Sequence, residues 1–407
     1  MKVLFFADSR PNFGNSLSGN NSGGWTGMLI RGLARRSGLE VGVSYLSRQE
    51  TPFIDEEHIY FFPIPKPKSF PKRIASSLFR KREDERALRS GLELCKTFKP
   101  DAIVVFGCAE CPFGLLATRT DIPVLIHIQG IMSTCVNAWL PPGFGPSEVA
   151  FAEGVSLSNW KRRFLANRFI NHAMRREQII LSQAKHLIGH SQWDQRYADL
   201  FAPRAAYYHC PEIARSIFYE MPVRRPSARP LLVTTIGGPL YKGHDTILKT
   251  AKVLVNSGLR DFEWKVFGIS EMRIAERICG INAGTVNVHP CGKASAETIR
   301  KTLLEASLYV HTSYIENRCA AICEAQLSDV PVVATNVGGV PSSVLDPRTT
   351  ILVPANDPYG MAWTIREFLR TGISSQLSGL EKARVEHNPD SIVSRMLDII
   401  EKAVAET

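Results

Sequence analysis

The chain has 407 residues, of which 44% are hydrophobic and 22% charged, and its net charge is +10. This length predicts two domains with sizeable cores, and the composition excludes a disordered or fibrous chain. No apolar stretch approaches the roughly 18 residues of a membrane span, and the first apolar run meets Asp8 too early for a signal-peptide core. We therefore expect a cytoplasmic protein, and the positive charge favours phosphates, nucleic acid or an anionic membrane as partners.

Short β-branched runs alternate with longer amphipathic stretches, a pattern typical of α/β proteins whose parallel strands are covered by helices. In the first half this pattern predicts strands at Lys2–Ala7, Glu40–Leu46, Ala102–Phe106, Val124–Ile128 and Leu187–Gly189. Helices are predicted between them at Trp25–Arg36, Glu83–Lys96 and Trp160–Gln183.

The segment Met221–Pro230 holds three prolines and three arginines without apolar periodicity, which predicts an interdomain linker. The alternation then restarts. The second half is predicted to contain strands at Leu231–Ile236, Trp264–Phe267, Thr285–Val288, Leu308–Thr312 and Pro331–Thr335, with helices from His244, Ser295 and about Cys319. The predicted domains are 1–220 and 231–388, and a cleft between two such units would be the expected ligand site.

Nine scattered cysteines indicate reduced, mostly buried thiols. The pairs Cys108/Cys111 and Cys319/Cys323 lack the companion ligands of a closed zinc site, so no metal site is predicted.

The segment Ser313–Gly339 is the most informative stretch of the sequence. A predicted strand ends near Ser313, and a loop carrying Glu316 leads into a helix that carries Glu324. The first amides of that helix, at Cys319, Ala320 and Ala321, would be unpaired donors beside small side chains, which is an arrangement that attracts a phosphate. Glutamates that only face water at a helix end are the simpler interpretation.

The spacing of Glu316 and Glu324, followed by PVVATNVGG, resembles the donor-site signature of retaining family 4 glycosyltransferases with the GT-B fold, which has two Rossmann-like domains facing a cleft. The segment Ile188–Tyr219 is similar to bacterial members that build surface polysaccharides. The resemblance implies a UDP- or GDP-sugar donor held by the C-terminal domain, a glycan or lipid-linked acceptor held by the N-terminal domain, and no metal or other cofactor. It also implies that a C-terminal helix in 389–407 packs on the N-terminal domain.

For the donor site, the resemblance implies that Glu316 contacts the sugar and Glu324 the ribose. The remaining donor-site residues implied around them are Asn317, Arg318, Cys319, Ala320, Ala321, Gly237, Gly238, Gly23, Gly24 and His127.

Lys242 lies in a turn between a predicted strand and a predicted helix, where its ammonium could neutralise a diphosphate leaving group. The family pairs this lysine with an arginine five residues earlier, but Gly237 occupies that position here. Either Lys242 acts without that arginine or another basic residue such as Arg318 replaces it.

Two further segments bear on the site. The loop Asp8–Gly24 is rich in glycine but lacks G-x-G-x-x-G, so a ligand-binding loop and a plain flexible loop both stay open. The segment Val124–Ile131, VLIHIQGI, is predicted to be a buried strand that runs into a loop. Many family members have a catalytic-site histidine at the end of this strand, and Gln129 occupies that position here. His127 lies two residues earlier in the same strand and points to the same side. A lone histidine in an apolar strand is more often a hydrogen-bonded core residue than a catalyst.

Two clusters of basic and aromatic residues suit an anionic membrane that carries a lipid-diphosphate acceptor, and a solvated helix face is an equally good interpretation. The first cluster comprises Lys66, Lys68, Phe70, Lys72, Arg73, Phe79, Arg80, Lys81, Arg82, Arg86 and Arg89. The second comprises Trp160, Lys161, Arg162, Arg163, Phe164, Arg168, Phe169, Arg175 and Arg176.

Two other classes of protein fit the sequence less well. A nucleotide-dependent kinase or dehydrogenase is disfavoured because Gly238–Asp245 has His-Asp where a phosphate-binding loop needs Lys-Ser or Lys-Thr. A non-catalytic nucleotide- or nucleic-acid-binding module is suggested by charge alone, without a recognition motif, so nucleic acid is not an expected partner.

Overall fold

The structure is a computed structural model that describes residues 1–11, 24–48, 51–66, 79–109, 111–154, 156–371 and 377–406. The chain forms two compact units, each built from more than one segment. Unit 1 comprises 1–133, 161–213 and 388–407, and unit 2 comprises 134–160 and 214–387.

Unit 1 contains a sheet of eight strands. They are β1 (Lys2–Ala7), β2 (Glu40–Ser47), β3 (Phe53–Ile54), β4 (Tyr60–Pro65), β5 (Ala102–Phe106), β6 (Val124–His127), β7 (His186–Gly189) and β8 (Ala206–His209). Their order is β3-β4-β2-β1-β5-β6-β7-β8, and all neighbours are parallel except β3 and β4. The central strands β1 and β5 are buried almost throughout, as their continuous apolar runs predict for a sheet covered on both faces.

The helices along the first half are α1 (Gly24–Ala34), α2 (Arg80–Phe98), α3 (Met132–Cys135), α4 (Pro146–Glu153), α5 (Leu157–Gln183) and α6 (Gln192–Phe201). Ser191 and Asp194 form a capping box that starts α6. The core of unit 1 contains Leu4 and Phe6 of β1 together with Phe113 and Ile180.

Unit 2 contains a six-stranded parallel sheet of order β11-β10-β9-β12-β13-β14. Its strands are β9 (Leu231–Thr235), β10 (Glu263–Phe267), β11 (Val288–Gly292), β12 (Leu308–His311), β13 (Val332–Thr335) and β14 (Thr350–Val353). Its helices are α7 (His244–Asn256), α8 (Arg273–Cys279), α9 (Ala296–Glu305), α10 (Ala320–Leu327), α11 (Pro358–Thr371) and α12 (Leu377–Glu386). Trp264 is fully buried in the core, where its indole donates to Thr234 at 3.0 Å.

The last helix, α13 (Pro389–Ala405), belongs to unit 1 and packs on α1. The fit is close, because a Cβ on Gly32 would lie 2.4 Å from Val393 Cγ2.

The predicted α/β class with two parallel sheets is confirmed. One predicted strand, Thr285–Val288, is wrong: a 3₁₀ turn covers Ala283–Val286, Asn287 is left-handed at φ 60°, and the strand begins at Val288. The segment 134–160 belongs to unit 2, where Phe144 and Val149 enter the core. The segment 221–230, expected as a linker, also lies within unit 2, where Arg225 and Ser227 donate backbone hydrogen bonds to Leu304 and Glu305.

Cys108, Cys111, Cys319 and Cys323 are buried and form no disulfide with any residue that the structure describes, as expected of core cysteines. Among the helices of the described residues, none is both long and apolar enough to span a bilayer.

Candidate active site

Strands β9 and β12 are neighbours in the sheet of unit 2, but the chain reaches β12 only after leaving β9 in the opposite direction through β10 and β11. The loops that follow β9 and β12 therefore diverge at a topological switch point, which is where open α/β sheets bind their ligands. The first of these loops carries Gly237, Gly238 and Lys242, and the second carries Glu316.

Lys242 and Glu316 meet across this point, with 2.5 Å between Nζ and Oε2. The same oxygen accepts a hydrogen bond from Ser313 Oγ at 3.3 Å and lies 3.7 Å from His311 Nε2. Burial lowers the pKa of Lys242, but the charge of Glu316 outweighs it and raises the pKa above its usual range. Burial alone would raise the pKa of Glu316, but the positive charge of Lys242 outweighs burial and lowers the pKa below its usual range. Both groups are therefore charged at neutral pH.

Two glycines allow the loops to approach each other this closely. Gly243 has φ 83°, and a Cβ there would lie 2.0 Å from the carbonyl oxygen of Thr312. Gly338, in the loop after β13, has φ 50°, and its Cβ would lie 2.0 Å from the carbonyl oxygen of Glu316. Thr312 Oγ1 also donates to the Lys242 carbonyl at 2.9 Å. The loops after β9, β12 and β13 are thus in close contact with one another.

Helix α10 begins at Ala320, one residue after the predicted start. Within the described residues, the backbone N–H groups of Ala320 and Ala321 have no acceptor, and Ala320 is exposed. Cys319 is the N-cap residue but provides no side-chain cap. The start of this helix therefore offers accessible donors and the positive end of its dipole to an anion.

Glu324 lies on α10 and is 5% exposed. Arg215 donates to both of its carboxylate oxygens, at 2.6 and 2.7 Å. Each oxygen has a further lone pair, so the paired carboxylate can still accept from a ligand.

Arg318 is buried, and its Nη2 donates to Glu386 at 3.1 Å. Its guanidinium is thus engaged with α12, which does not favour Arg318 as the substitute for the missing arginine. Asn317 is also buried. The carbonyl oxygen of Gly237 lies 2.9 Å from Nε2 of the buried His244, while Gly238 has open space around its Cα.

His311, Glu316 and Cys319 could each offer a ligand atom to a metal ion, since these atoms lie within 4.8 Å of one another in the described part of the chain. The Lys242 ammonium contacts the same Glu316 oxygen, and burial raises the pKa of the Cys319 thiol. A cation already fills this position, so the arrangement fits an ammonium–carboxylate pair better than a metal.

The remaining predicted residues belong to unit 1. Gln129 follows β6, and its Nε2 lies 3.0 Å from His127 Nδ1. His127 is fully buried against the ring of Trp25 at a centroid distance of 4.9 Å. Burial, assisted by His190, lowers the pKa of His127 to about 3, so this imidazole is neutral at physiological pH. Gly24 begins α1, whereas Gly23 and most of the glycine-rich loop lie outside the described residues.

Sequence reasoning missed three partners of this site. Arg215 and His311 contact the two glutamates, but neither belongs to the motif that indicated Glu316 and Glu324. Trp139, in the part of unit 2 that sequence assigned to the first domain, lies with its ring 5.6 Å from that of Tyr241, next to Lys242. Only the fold brings these residues to the site.

Residues 230–371 match the family model described as glycosyl transferases group 1. The D-inositol 3-phosphate glycosyltransferase of Streptomyces avermitilis is 31% identical over 186 residues, which are 46% of this chain and 35% of that protein. The chain therefore spans little more than a third of the length of that relative.

Two solved structures resemble the whole chain. Sucrose-phosphate synthase from Thermosynechococcus elongatus has a TM-score of 0.70 at 15% identity, with 100% of both chains covered. The Anabaena protein HepE in complex with UDP-glucose has a TM-score of 0.63 at 15% identity, again with 100% of both chains covered. The chain thus has the GT-B fold, and its residues 230–371 match the glycosyl transferases group 1 family.

Proposed function

We propose that the chain is a retaining glycosyltransferase that transfers a sugar from a nucleotide-sugar donor to a glycan or lipid-linked acceptor. The observation that carries this proposal is the Lys242–Glu316 pair beside the open start of α10, at the switch point of the sheet. A cation and free amides suit a diphosphate, and a carboxylate suits the hydroxyls of a sugar.

In this proposal the diphosphate of the donor lies against the amides of Ala320 and Ala321, and Lys242 stabilises the negative charge that develops as the bond to the sugar breaks. Glu316 accepts hydrogen bonds from the transferred sugar, and Glu324 accepts them from the ribose while Arg215 keeps its carboxylate in place. The acceptor hydroxyl attacks from the face that the diphosphate leaves, which retains the anomeric configuration.

Lys242 and the helix amides supply the positive charge that a divalent metal supplies in other transferases, so we propose that transfer is metal-independent. Gln129 and His127 are proposed to contact the transferred sugar. A UDP- or GDP-hexose or N-acetylhexosamine is the proposed donor, and surface-polysaccharide synthesis at the inner face of the cell membrane is the proposed setting.

The test is a thermal-shift screen of the full chain against UDP, GDP and their sugar conjugates. The nucleotide that stabilises the chain is then assayed as a donor with EDTA present, using glycan, lipid-diphosphate and inositol 3-phosphate acceptors. An α-linked product from an α-linked donor would support retention. Stabilisation by a nucleotide without turnover on any acceptor would instead favour a non-catalytic nucleotide-binding protein.

A further inference from the structure

A groove of about 940 Å³ lies between helices α2 and α5. It belongs to unit 1, whereas the loops that carry Lys242 and Glu316 belong to unit 2. The groove brings together members of both basic clusters, Phe79 to Arg82 from the first and Arg168, Arg175 and Arg176 from the second. Lys68, Phe70, Lys72 and Arg73 of the first cluster lie outside the described residues. Two stretches that are far apart in sequence therefore form one surface.

The groove has a large excess of positive charge. Seven basic and two acidic residues line it, namely Arg80, Lys81, Arg82, Arg119, Arg168, Arg175 and Arg176 with Asp84 and Glu85. Both acids are already engaged by groups of the groove itself. Asp84 lies 2.8 Å from Arg176 Nη1 and 2.7 Å from His172 Nε2, and Glu85 lies 3.1 Å from Arg119.

Three of the other basic side chains, Lys81, Arg82 and Arg175, form no ion pair with any residue that the structure describes. Arg176 is 6% exposed, and its Nε–H has no acceptor within the same ranges. Burial lowers the pKa of Arg80, and the nearby charge of Arg176 lowers it further. The groove thus holds seven basic side chains at close quarters against two acidic ones.

The start of α2 adds to this imbalance. Three of its first four residues, Arg80 to Arg82, are basic, although the positive end of a helix dipole favours acidic side chains. The fourth, Glu83, pairs with Arg86 at 3.2 Å. A bound phosphate would relieve the repulsion between these side chains and the helix terminus.

Exposed apolar side chains flank the charges. On α5, Phe164, Arg168, Arg175 and Ile179 recur at helical spacing on one face, and Phe164 and Ile179 are 45% and 47% exposed. Phe79, just before α2, is 54% exposed. Apolar groups beside arginines suit the boundary between lipid headgroups and acyl chains, and a purely soluble polyanion would leave them in water.

We propose that the groove between α2 and α5 binds the phosphate headgroup of an anionic phospholipid and so docks unit 1 on a membrane surface. Arg80, Arg168, Arg175 and Arg176 surround the phosphate, and Phe79, Phe164 and Ile179 contact the acyl boundary. This inference does not depend on glycosyl transfer, since lipid binding is measured without donor or acceptor.

The experiment is co-sedimentation of the full chain with vesicles of phosphatidylglycerol and phosphatidylcholine, and with vesicles of phosphatidylcholine alone. The wild type is expected to bind the anionic vesicles selectively. Replacing the exposed pair, Arg168→Gln with Arg175→Gln, is expected to weaken that binding about thirtyfold, since each basic residue near an anionic surface contributes roughly a factor of five or more. Unchanged melting of this variant would show that it is folded.

The matched control is Lys252→Gln with Lys301→Gln, two exposed lysines of unit 2 that carry the same change of charge. Its binding is expected to fall less than threefold. Equal losses of binding in both variants would refute the groove as the lipid-binding site, because the net charge of the chain would then explain the binding. The chain could instead be stabilised by free pyrophosphate, or retain duplex DNA, without binding vesicles. Either result would refute the proposal that the bound phosphate belongs to a membrane lipid.

Discussion

Arg215 and Glu324 form a two-point ion pair, with Nε 2.6 Å from Oε1 and Nη2 2.7 Å from Oε2. The two residues are 109 positions apart in the sequence. Glu324 is almost fully buried, so removing Arg215 would take away the cation that compensates its carboxylate. The planar guanidinium also fixes the plane of the carboxylate, which is the group proposed to receive the ribose.

Removing Arg215 should therefore destabilise unit 2. We expect Arg215→Gln to lower the free energy of unfolding by about 3 kcal/mol, since it leaves a buried charge unpaired, with urea unfolding as the measurement. The double variant Arg215→Gln with Glu324→Gln should recover much of this loss. Strictly additive single effects would show that the pair is not coupled.

Lys242 and Glu316 should be required for transfer. We expect Lys242→Ala and Glu316→Ala each to lower kcat about 100- to 1,000-fold, because each removes a group that acts on the leaving diphosphate or on the sugar. Steady-state kinetics measure this, with thermal melting to verify folding. The exposed Lys252→Ala in the same unit is the control and should keep wild-type rates. Wild-type activity in a folded Lys242 or Glu316 variant would refute the mechanism.

The close approach at Gly243 can be separated from its backbone conformation. Gly243 and Gly258 have φ 83° and 95°, but a Cβ on Gly243 would strike the Thr312 carbonyl at 2.0 Å, whereas one on Gly258 would meet nothing within 4 Å. Gly258→Ala should lose about 1–2 kcal/mol of stability from strain alone. Gly243→Ala should lose clearly more and also donor binding, as read by urea unfolding and by nucleotide thermal shift. Equal losses would show that the loop contact is unimportant.

Gly237 offers a gain-of-function experiment. An added Cβ there would meet only Pro239 Cδ, at an ordinary 3.5 Å. We expect Gly237→Arg to tighten UDP or GDP binding about tenfold, because a second cation would reach the diphosphate. Isothermal titration measures the change, and Gly238→Arg, at an equally open position, is the control. No gain, or the same gain in both, would mean that residue 237 has no special access to the phosphates.

His127 should make stability depend on pH. Its pKa is about 3 in the folded chain and about 6.5 when unfolded, so the unfolded state binds the extra proton between these values. Stability should be complete above pH 6.5 and fall as the pH drops towards 3, by up to about 1.4 kcal/mol for each pH unit. Urea unfolding at pH 7 and pH 5 should show a smaller difference in His127→Gln. The exposed His289→Gln should behave as the wild type.

The fold was largely predictable where the pattern was continuous. Strands such as Lys2–Ala7 and Ala102–Phe106 are buried on both faces, and their unbroken apolar runs mark their bounds. The edge strand Phe53–Ile54 is too short to form such a run, and prolines interrupt the apolar residues of Tyr60–Pro65, so neither was predicted. The membership of segment 134–160 could not be predicted, because it follows from packing against residues a hundred positions away.

The candidate site was likewise predictable only in part. The motif indicated Lys242 and Glu316 as site residues, but not that they pair directly, since a loop lysine has no pattern that names its partner. Arg318 was a candidate substitute for the missing arginine because it is adjacent in sequence, but its side chain pairs with Glu386. The site role of each of these residues stays a prediction for the variants above.

Helix α13 packs on α1, so the first and last segments of the chain complete one unit. During synthesis, unit 1 can therefore be completed only after residues 388–406 have been made, whereas every segment of unit 2 precedes them. A chain cut after His387 would expose the apolar face of α1 that Val393 covers, and should aggregate. Adding residues 388–406 back as a separate peptide should restore its solubility.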